Sequence, residues 1–264
     1  GSLSGTTDVN GSLVLPGLIP GTYVATITPP PGWEVVGDRV RTLTLAAETF
    51  ALALELTPTI ASVALSPAAP ALAVGTSLGV TLVLTGADGQ SVPQVQGLVW
   101  RSGSAELGVT PGTGLSATLS ATFPGEAAGS SVLQVSFGAR TYTFPVTVTS
   151  SISGTITRET GATPAPPAPD VTVQLRRGGV VVAEVRTGAD GRYTASGLFR
   201  GTYDVVPQPQ ADLLPVPAGQ TVILDQANPS GRADFRMQSF AGLDLTARTP
   251  WDTPVGAVLA VLLR

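Results

Sequence analysis

The chain has 264 residues, a formal net charge of -4, a sequence pI near 4.8 and only 12% charged residues. It contains no His, no Cys and no Lys, so all 14 basic residues are Arg. These absences exclude a Ser-His-Asp triad, a Cys nucleophile, a zinc site with the usual ligands, a Ser-Lys dyad and a phosphate-binding P-loop lysine, and the dispersed arginines leave no basic footprint for nucleic acid. We therefore expect no enzyme, no cofactor and no metal. Gly 31 and Pro 23, with Val, Thr, Leu and Ala dominant, indicate short strands joined by tight turns. No stretch holds an apolar 3.6-residue period, so the expected class is all-β, a series of tandem β-sandwich domains.

Residues 1–57 open on Gly1-Ser2-Leu3-Ser4-Gly5, which has neither the basic nor the apolar region of a secretory signal. Asp8-Val-Asn10-Gly11 reads as a hairpin turn, because Asn-Gly accepts positive φ. As a calcium loop it fails: the twelfth position from Asp8 is Ile19, where a bidentate Glu is needed. Asn10-Gly11-Ser12 also fits the N-glycosylation acceptor pattern, but a hairpin tip explains it, and Asn228-Pro229-Ser230 is blocked by its proline. Leu13 and Leu15 alternate toward one face, Gly17-Leu18-Ile-Pro-Gly21 turns the chain, and Tyr23 to Ile27 forms the next strand. Pro29-Pro30-Pro31-Gly32 breaks that strand before Trp33. Thr42 to Leu56, with Leu43, Leu45, Phe50, Leu52, Leu54 and Leu56 at period two, reads as a half-buried strand. Trp33, like Trp251 further on, is a candidate for stacking on a sugar and is read as a loop aromatic packed on a sandwich edge.

Residues 58–149 carry Val63-Ala-Leu65-Ser-Pro67, Leu72-Ala-Val74-Gly75, a strand from Val80 to Leu84, an Asp88-Gly89 turn, Val99-Trp100, a Pro111-Gly112-Thr-Gly114 turn and a closing Tyr142-Thr-Phe144-Pro-Val146-Thr-Val148. Turn signals about every 8 to 12 residues with one mid-domain tryptophan point to an immunoglobulin-like sandwich with Trp100 in its core. The order resembles the bacterial Ig-like repeats of intimin and invasin.

Residues 150–238 begin with Ile152-Ser-Gly154-Thr-Ile156, pass a proline-rich connection from Pro164 to Pro169 that reads as a semi-rigid extended loop, and continue through strands at Val171 to Leu175 and Val180 to Val185. Thr187-Gly-Ala-Asp190-Gly191 and Gly197-Leu198-Phe-Arg-Gly201-Thr202-Tyr203 then repeat the opening of the chain. Thr7/Thr187, Gly11/Gly191, Gly17/Gly197, Leu18/Leu198, Gly21/Gly201, Thr22/Thr202 and Tyr23/Tyr203 share one offset of 180 residues, which marks two copies of one module. Thr221 to Leu224 and Ala233 to Phe235 close the second copy. With Pro29-Pro30-Pro31-Gly32-Trp33, these motifs resemble the prealbumin-like β-sandwich of Cna B-type repeats in bacterial surface proteins and of the regulatory-like domain beside carboxypeptidases. The resemblance implies a scaffold and no reaction. Many Cna B members carry an internal isopeptide crosslink, for which this lysine-free chain has no amine.

Residues 239–264 restart the module: Gly242, Pro254 and Arg264 follow Gly154, Pro166 and Arg176 at an offset of 88. Were Gly1 to follow Arg264, the joined module would have a hairpin four residues shorter than that of the complete copy. The expected division is thus the second part of a prealbumin-like sandwich over 1–57, an Ig-like sandwich over 58–149, a complete prealbumin-like sandwich over 150–238, and opening strands over 239–264 that the amino-terminal part of the next repeat or subunit completes. The interface residues expected from this are Leu13, Leu15 and Tyr23 on one side and Leu243, Leu245, Val255, Val258, Val261 and Leu263 on the other. Val255 to Leu263 is an apolar run too short to span a bilayer. The expectation is a non-enzymatic, extracellular, cell-surface structural protein, with other copies of itself, head to tail, as partners in a stalk, fibre or filament. Thr57-Pro58-Thr59 and Thr149-Ser150-Ser151 would be its short linkers. The alternative is an adhesin-like or carbohydrate-binding module on a surface protein or secreted hydrolase, with a surface glycan or a host or cell-wall partner.

Overall fold

The structure, a computed structural model, describes residues 2–46, 50–210, 212–239 and 251. Among them all regular structure is strand, so the fold is all-β. No helix among these residues is long and apolar enough to cross a membrane.

The middle of the chain is a sandwich of two sheets. β5 (Ile60–Ser66), β7 (Ser77–Gly86), β10 (Ser116–Ala121) and β9 (Leu107–Pro111) pair antiparallel in that order. They face β8 (Val99–Ser102), β11 (Ser131–Phe137) and the first half of β12 (Arg140–Arg158), which β6 (Ala71–Ala73) joins in parallel. Strand side chains alternate between faces, and β7 shows it plainly: Val80, Leu82 and Leu84 are buried while Thr81 and Val83 are exposed. With Leu65, Trp100, Leu119, Leu133 and Val146 they form one continuous core.

The following residues form a second sandwich. One sheet is β14 (Val180–Arg186), β13 (Thr172–Arg177), β16 (Gly201–Pro207) and β18 (Gln220–Leu224). The other is built on the second half of β12, with β15 (Arg192–Leu198) antiparallel to it, β19 (Gly231–Arg232) and β20 (Phe235–Ser239) parallel, and β17 (Leu213–Val216) on β20. Ile152, Ile156, Val173, Leu175, Tyr203, Val205 and Met237 fill the space between.

The linker expected at Thr149-Ser150-Ser151 is not a linker. β12 runs 19 residues without a break through both cores. The reason is a shared phase: even-numbered residues from Val146 to Ile156 are buried and the odd-numbered ones between them are not, so one period-two pattern serves both sandwiches. Thr59, the other expected linker residue, is also pinned: its N–H donates to the Gly32 carbonyl (2.7 Å) and its own carbonyl accepts from Ala87 (2.8 Å).

Residues 2–58 contain β1 (Gly21–Thr26) paired with β3 (Val40–Leu45), and β2 (Trp33–Val35) paired with β4 (Leu56–Pro58). The long strand expected from Thr42 to Leu56 is replaced by β3 and β4, with Phe50, Leu52 and Leu54 exposed between them. The strand expected at Leu13 and Leu15 is likewise absent, and both residues are exposed. A strand persists only where neighbours take up its backbone hydrogen bonds; among the described residues neither segment has such a neighbour.

Candidate functional site

The two copies make the same turns. Gly11 and Gly191 have φ of 75° and 72°, Gly17 and Gly197 78° and 77°, values that suit glycine. Asp8 donates to the Ser12 carbonyl as Gly188 donates to that of Arg192, both at 2.8 Å. Tyr23 Oη reaches the carbonyl of Ile19 (2.7 Å) as Tyr203 Oη reaches that of Phe199 (2.8 Å). Burial pushes the Tyr203 phenol up. The strands correspond too: β1 with β16, β2 with β17, β3 with β18 and β4 with β20. Pairing differs by one residue, Tyr23 opposite Leu43 against Tyr203 opposite Val222, and Val35 opposite Leu56 against Pro215 opposite Met237.

What differs is coverage. Tyr203, Val205, Ala233, Phe235 and Met237 are all buried, whereas their counterparts Tyr23 and Ala25 are half-buried and Leu52, Leu54 and Leu56 are exposed. Leu13 and Leu15, both crowding Gly5, stand where Tyr193 and Ala195 are buried in the complete copy. In that copy β12 pairs alongside β15 and β20, and β13 alongside β16. Among the described residues of 2–58 no strand takes these places, and Val35 is the only one buried. Tyr23, Ala25, Leu43 and Leu45 alternate onto one face of the β1–β3 pair and are only half-buried, and Leu54 and Leu56 are exposed. Of the expected interface residues, Leu13 and Leu15 are exposed outside any strand and Tyr23 is half-buried in β1; Leu243, Leu245, Val255, Val258, Val261 and Leu263 lie outside the described residues.

The Asp8 turn is self-sufficient. The Asp8 carboxylate accepts the N–H groups of Ser12 and Asn10, both at 2.9 Å, and these bonds hold its pKa below the usual carboxylate value. Among the described residues no cluster of three or more metal-ligating acids occurs. Trp33 sits in β2 opposite Pro58, partly exposed, and Trp251 is 85% exposed.

Sequence reasoning missed the joint between the two complete sandwiches. The Phe199-Arg200-Gly201 turn docks on Phe123 to Glu126: Arg200 N–H donates to Gly125 O (2.8 Å), its guanidinium lies 3.2 Å from the Glu126 carboxylate and it stacks 5.7 Å from the Phe123 ring. Ser150 Oγ, at the start of the second sandwich, donates to the Pro229 carbonyl of the same sandwich. The available signal was a difference between the copies, since Pro20 stands where Arg200 does.

No family model matches the chain, and no curated protein matches it. Among solved structures it is similar to GBS52, the minor pilin of Streptococcus agalactiae, at 13% identity over 64% of this chain and 72% of that one, with a TM-score of 0.32. It is similar to BcpA, the major pilin subunit of Bacillus cereus, at 13% identity over 89% of each chain and a TM-score of 0.33. The pilus 2b backbone protein of group B streptococcus matches at 13% identity, 83% and 98% coverage and a TM-score of 0.34. At these scores the fold rests on the strands and registers given above.

Proposed function

We propose that this chain is a non-enzymatic, extracellular structural protein: a unit of a cell-surface stalk, fibre or filament in which β-sandwiches follow head to tail and strands of one unit complete the next. Its division is the one expected from the sequence, a partial prealbumin-like sandwich over 1–57, an Ig-like sandwich over 58–149, a complete prealbumin-like sandwich over 150–238, and opening strands over 239–264. The observation that carries the reading is β12. Two cores threaded by one 19-residue strand cannot hinge there without breaking ladder hydrogen bonds, and the Arg200 contacts lock the side of the joint. Resistance to bending is what a load-bearing rod needs, and it requires no reaction site.

Electron microscopy of the full chain at rising concentration tests this. Straight rods that lengthen by whole units are expected; particles that keep the size of one chain at every concentration overturn it.

A further inference from the structure

We propose that the free edge of β1 is the docking site for residues 259–263 of a second copy of this chain, in one antiparallel register that sets Val261 opposite Ile27 and Leu263 opposite Ala25. This rests on the assembly reading above and adds to it the edge, the occupant and the register.

The complete copy shows what such an edge takes. β16 carries β18 on one side and β13 on the other; β1 carries β3 on the matching side and, among the described residues, nothing on the other. A row of unpaired backbone N–H and C=O groups is a template for an added strand. β13 pairs with β16 through Val173 opposite Pro207 and Leu175 opposite Val205. At the offset of 180, Pro207 and Val205 are Ile27 and Ala25.

The occupant is written in the same chain. Leu259, Val261, Leu263 and Arg264 follow Val171, Val173, Leu175 and Arg176 at the offset of 88, and Val171, Val173 and Leu175 are the residues that β13 and its approach bury completely. A second point of match is independent of apolar pattern. At Gly154 a Cβ would overlap the Ala233 carbonyl oxygen and crowd Tyr193 Oη, so only glycine fits where β12 passes the link between β19 and β20. Gly242 stands at the same offset of 88. Counting back from Leu56 and Met237, the Ala233 counterpart is Leu52, whose carbonyl a second copy's Gly242 would meet. There is room for the incoming chain: Gly191 is packed against the Ile156 carbonyl and Pro167, whereas a Cβ at Gly11 meets nothing within 4 Å.

The absence of native cysteine makes the test clean. Two full-length chains of different tag size, one carrying Ala25→Cys and the other Leu263→Cys, are mixed under mild oxidation; Ile27→Cys with Val261→Cys is the second pair. Each in-register pair is expected to give on the order of ten-fold more disulfide heterodimer than Ala25→Cys with Leu262→Cys, whose side chain points to the opposite face. Excess wild-type chain should suppress the product. Equal yields from Leu262→Cys and Leu263→Cys, in a chain that still forms rods, overturn the register and leave the assembly reading standing. A disulfide formed only within one chain, in a protein carrying both cysteines of a pair, overturns the second-copy occupant. A chain that neither crosslinks nor lengthens overturns both readings.

Discussion

Gly154, Tyr193 and Asp234 form a knot where three strands meet. Tyr193 Oη donates to the buried Ala233 carbonyl at 2.6 Å, above the glycine that lets the chains approach. Gly154→Ala should therefore cost about 2–4 kcal/mol, because the intruding methyl meets backbone and not the end of a flexible side chain; chemical denaturation of the full chain measures it. Desolvation, the largest influence, with the Asp234 charge beside it, raises the Tyr193 pKa, against a smaller opposing effect of Arg232. A raised folded pKa means that this group's stabilisation is complete below the ordinary tyrosine value of 10.0 and is lost as pH climbs above it. The unfolding midpoint should fall in alkali, and part of that fall should vanish in Tyr193→Phe. Asp234 behaves in the opposite sense. Burial pushes its pKa up, but the Arg232 guanidinium at 2.7 Å and the Thr155 N–H at 2.8 Å outweigh burial and hold it below 3.8. Its contribution is present above that value and lost as acid protonates it, so the stability difference between wild type and Asp234→Asn should be largest at neutral pH and shrink as the pH falls below 3.8.

β12 decides how the elements work together. The inward phase of β12 continues unchanged through Thr149, and the register shift beside Ser150 and Ser151 is taken up on β15, where Gly197 is the extra residue. The Arg200 contacts fix the remaining freedom. Its ion pair with Glu126 is largely solvated, worth about 0–1 kcal/mol, and its position over Phe123 contributes about 0.5–1 kcal/mol. Arg200→Ala should therefore lower stability by no more than about 2 kcal/mol. It should also broaden the range of angles between the two sandwiches, measured by residual dipolar couplings or small-angle scattering. An unchanged angular distribution would show that β12 alone sets the joint.

Over the whole molecule, the repeated motif is covered in one copy and, among the described residues, uncovered in the other, and the same substitution should act differently in each. Phe235 is 3% exposed in the covered copy, while its counterpart Leu54 is 41% exposed in the uncovered one. Phe235→Asp buries an unpaired carboxylate and should cost more than about 4 kcal/mol. Leu54→Asp should change the stability of the isolated chain by less than about 1 kcal/mol yet prevent its lengthening into rods. Sedimentation beside thermal melting separates the two effects, and loss of stability without loss of assembly in Leu54→Asp would count against an open docking face.

The offset of 180, carried by Gly11/Gly191, Gly17/Gly197 and Tyr23/Tyr203, was legible because turn chemistry is local: positive φ and an i to i−4 tyrosine hydrogen bond need nothing beyond a few neighbouring residues. Period-two apolar patterns likewise announced the strands of the all-β fold. Whether such a pattern became a strand depended on partners distant in the chain, which is why Leu13, Leu15 and Leu52 remain outside any strand while Tyr193 and Ala195 are buried within one. The unbroken course of β12 and the docking of Arg200 on Phe123 were decided only in three dimensions, since both arise when separate sheets come to share an edge, and no local preference records that meeting.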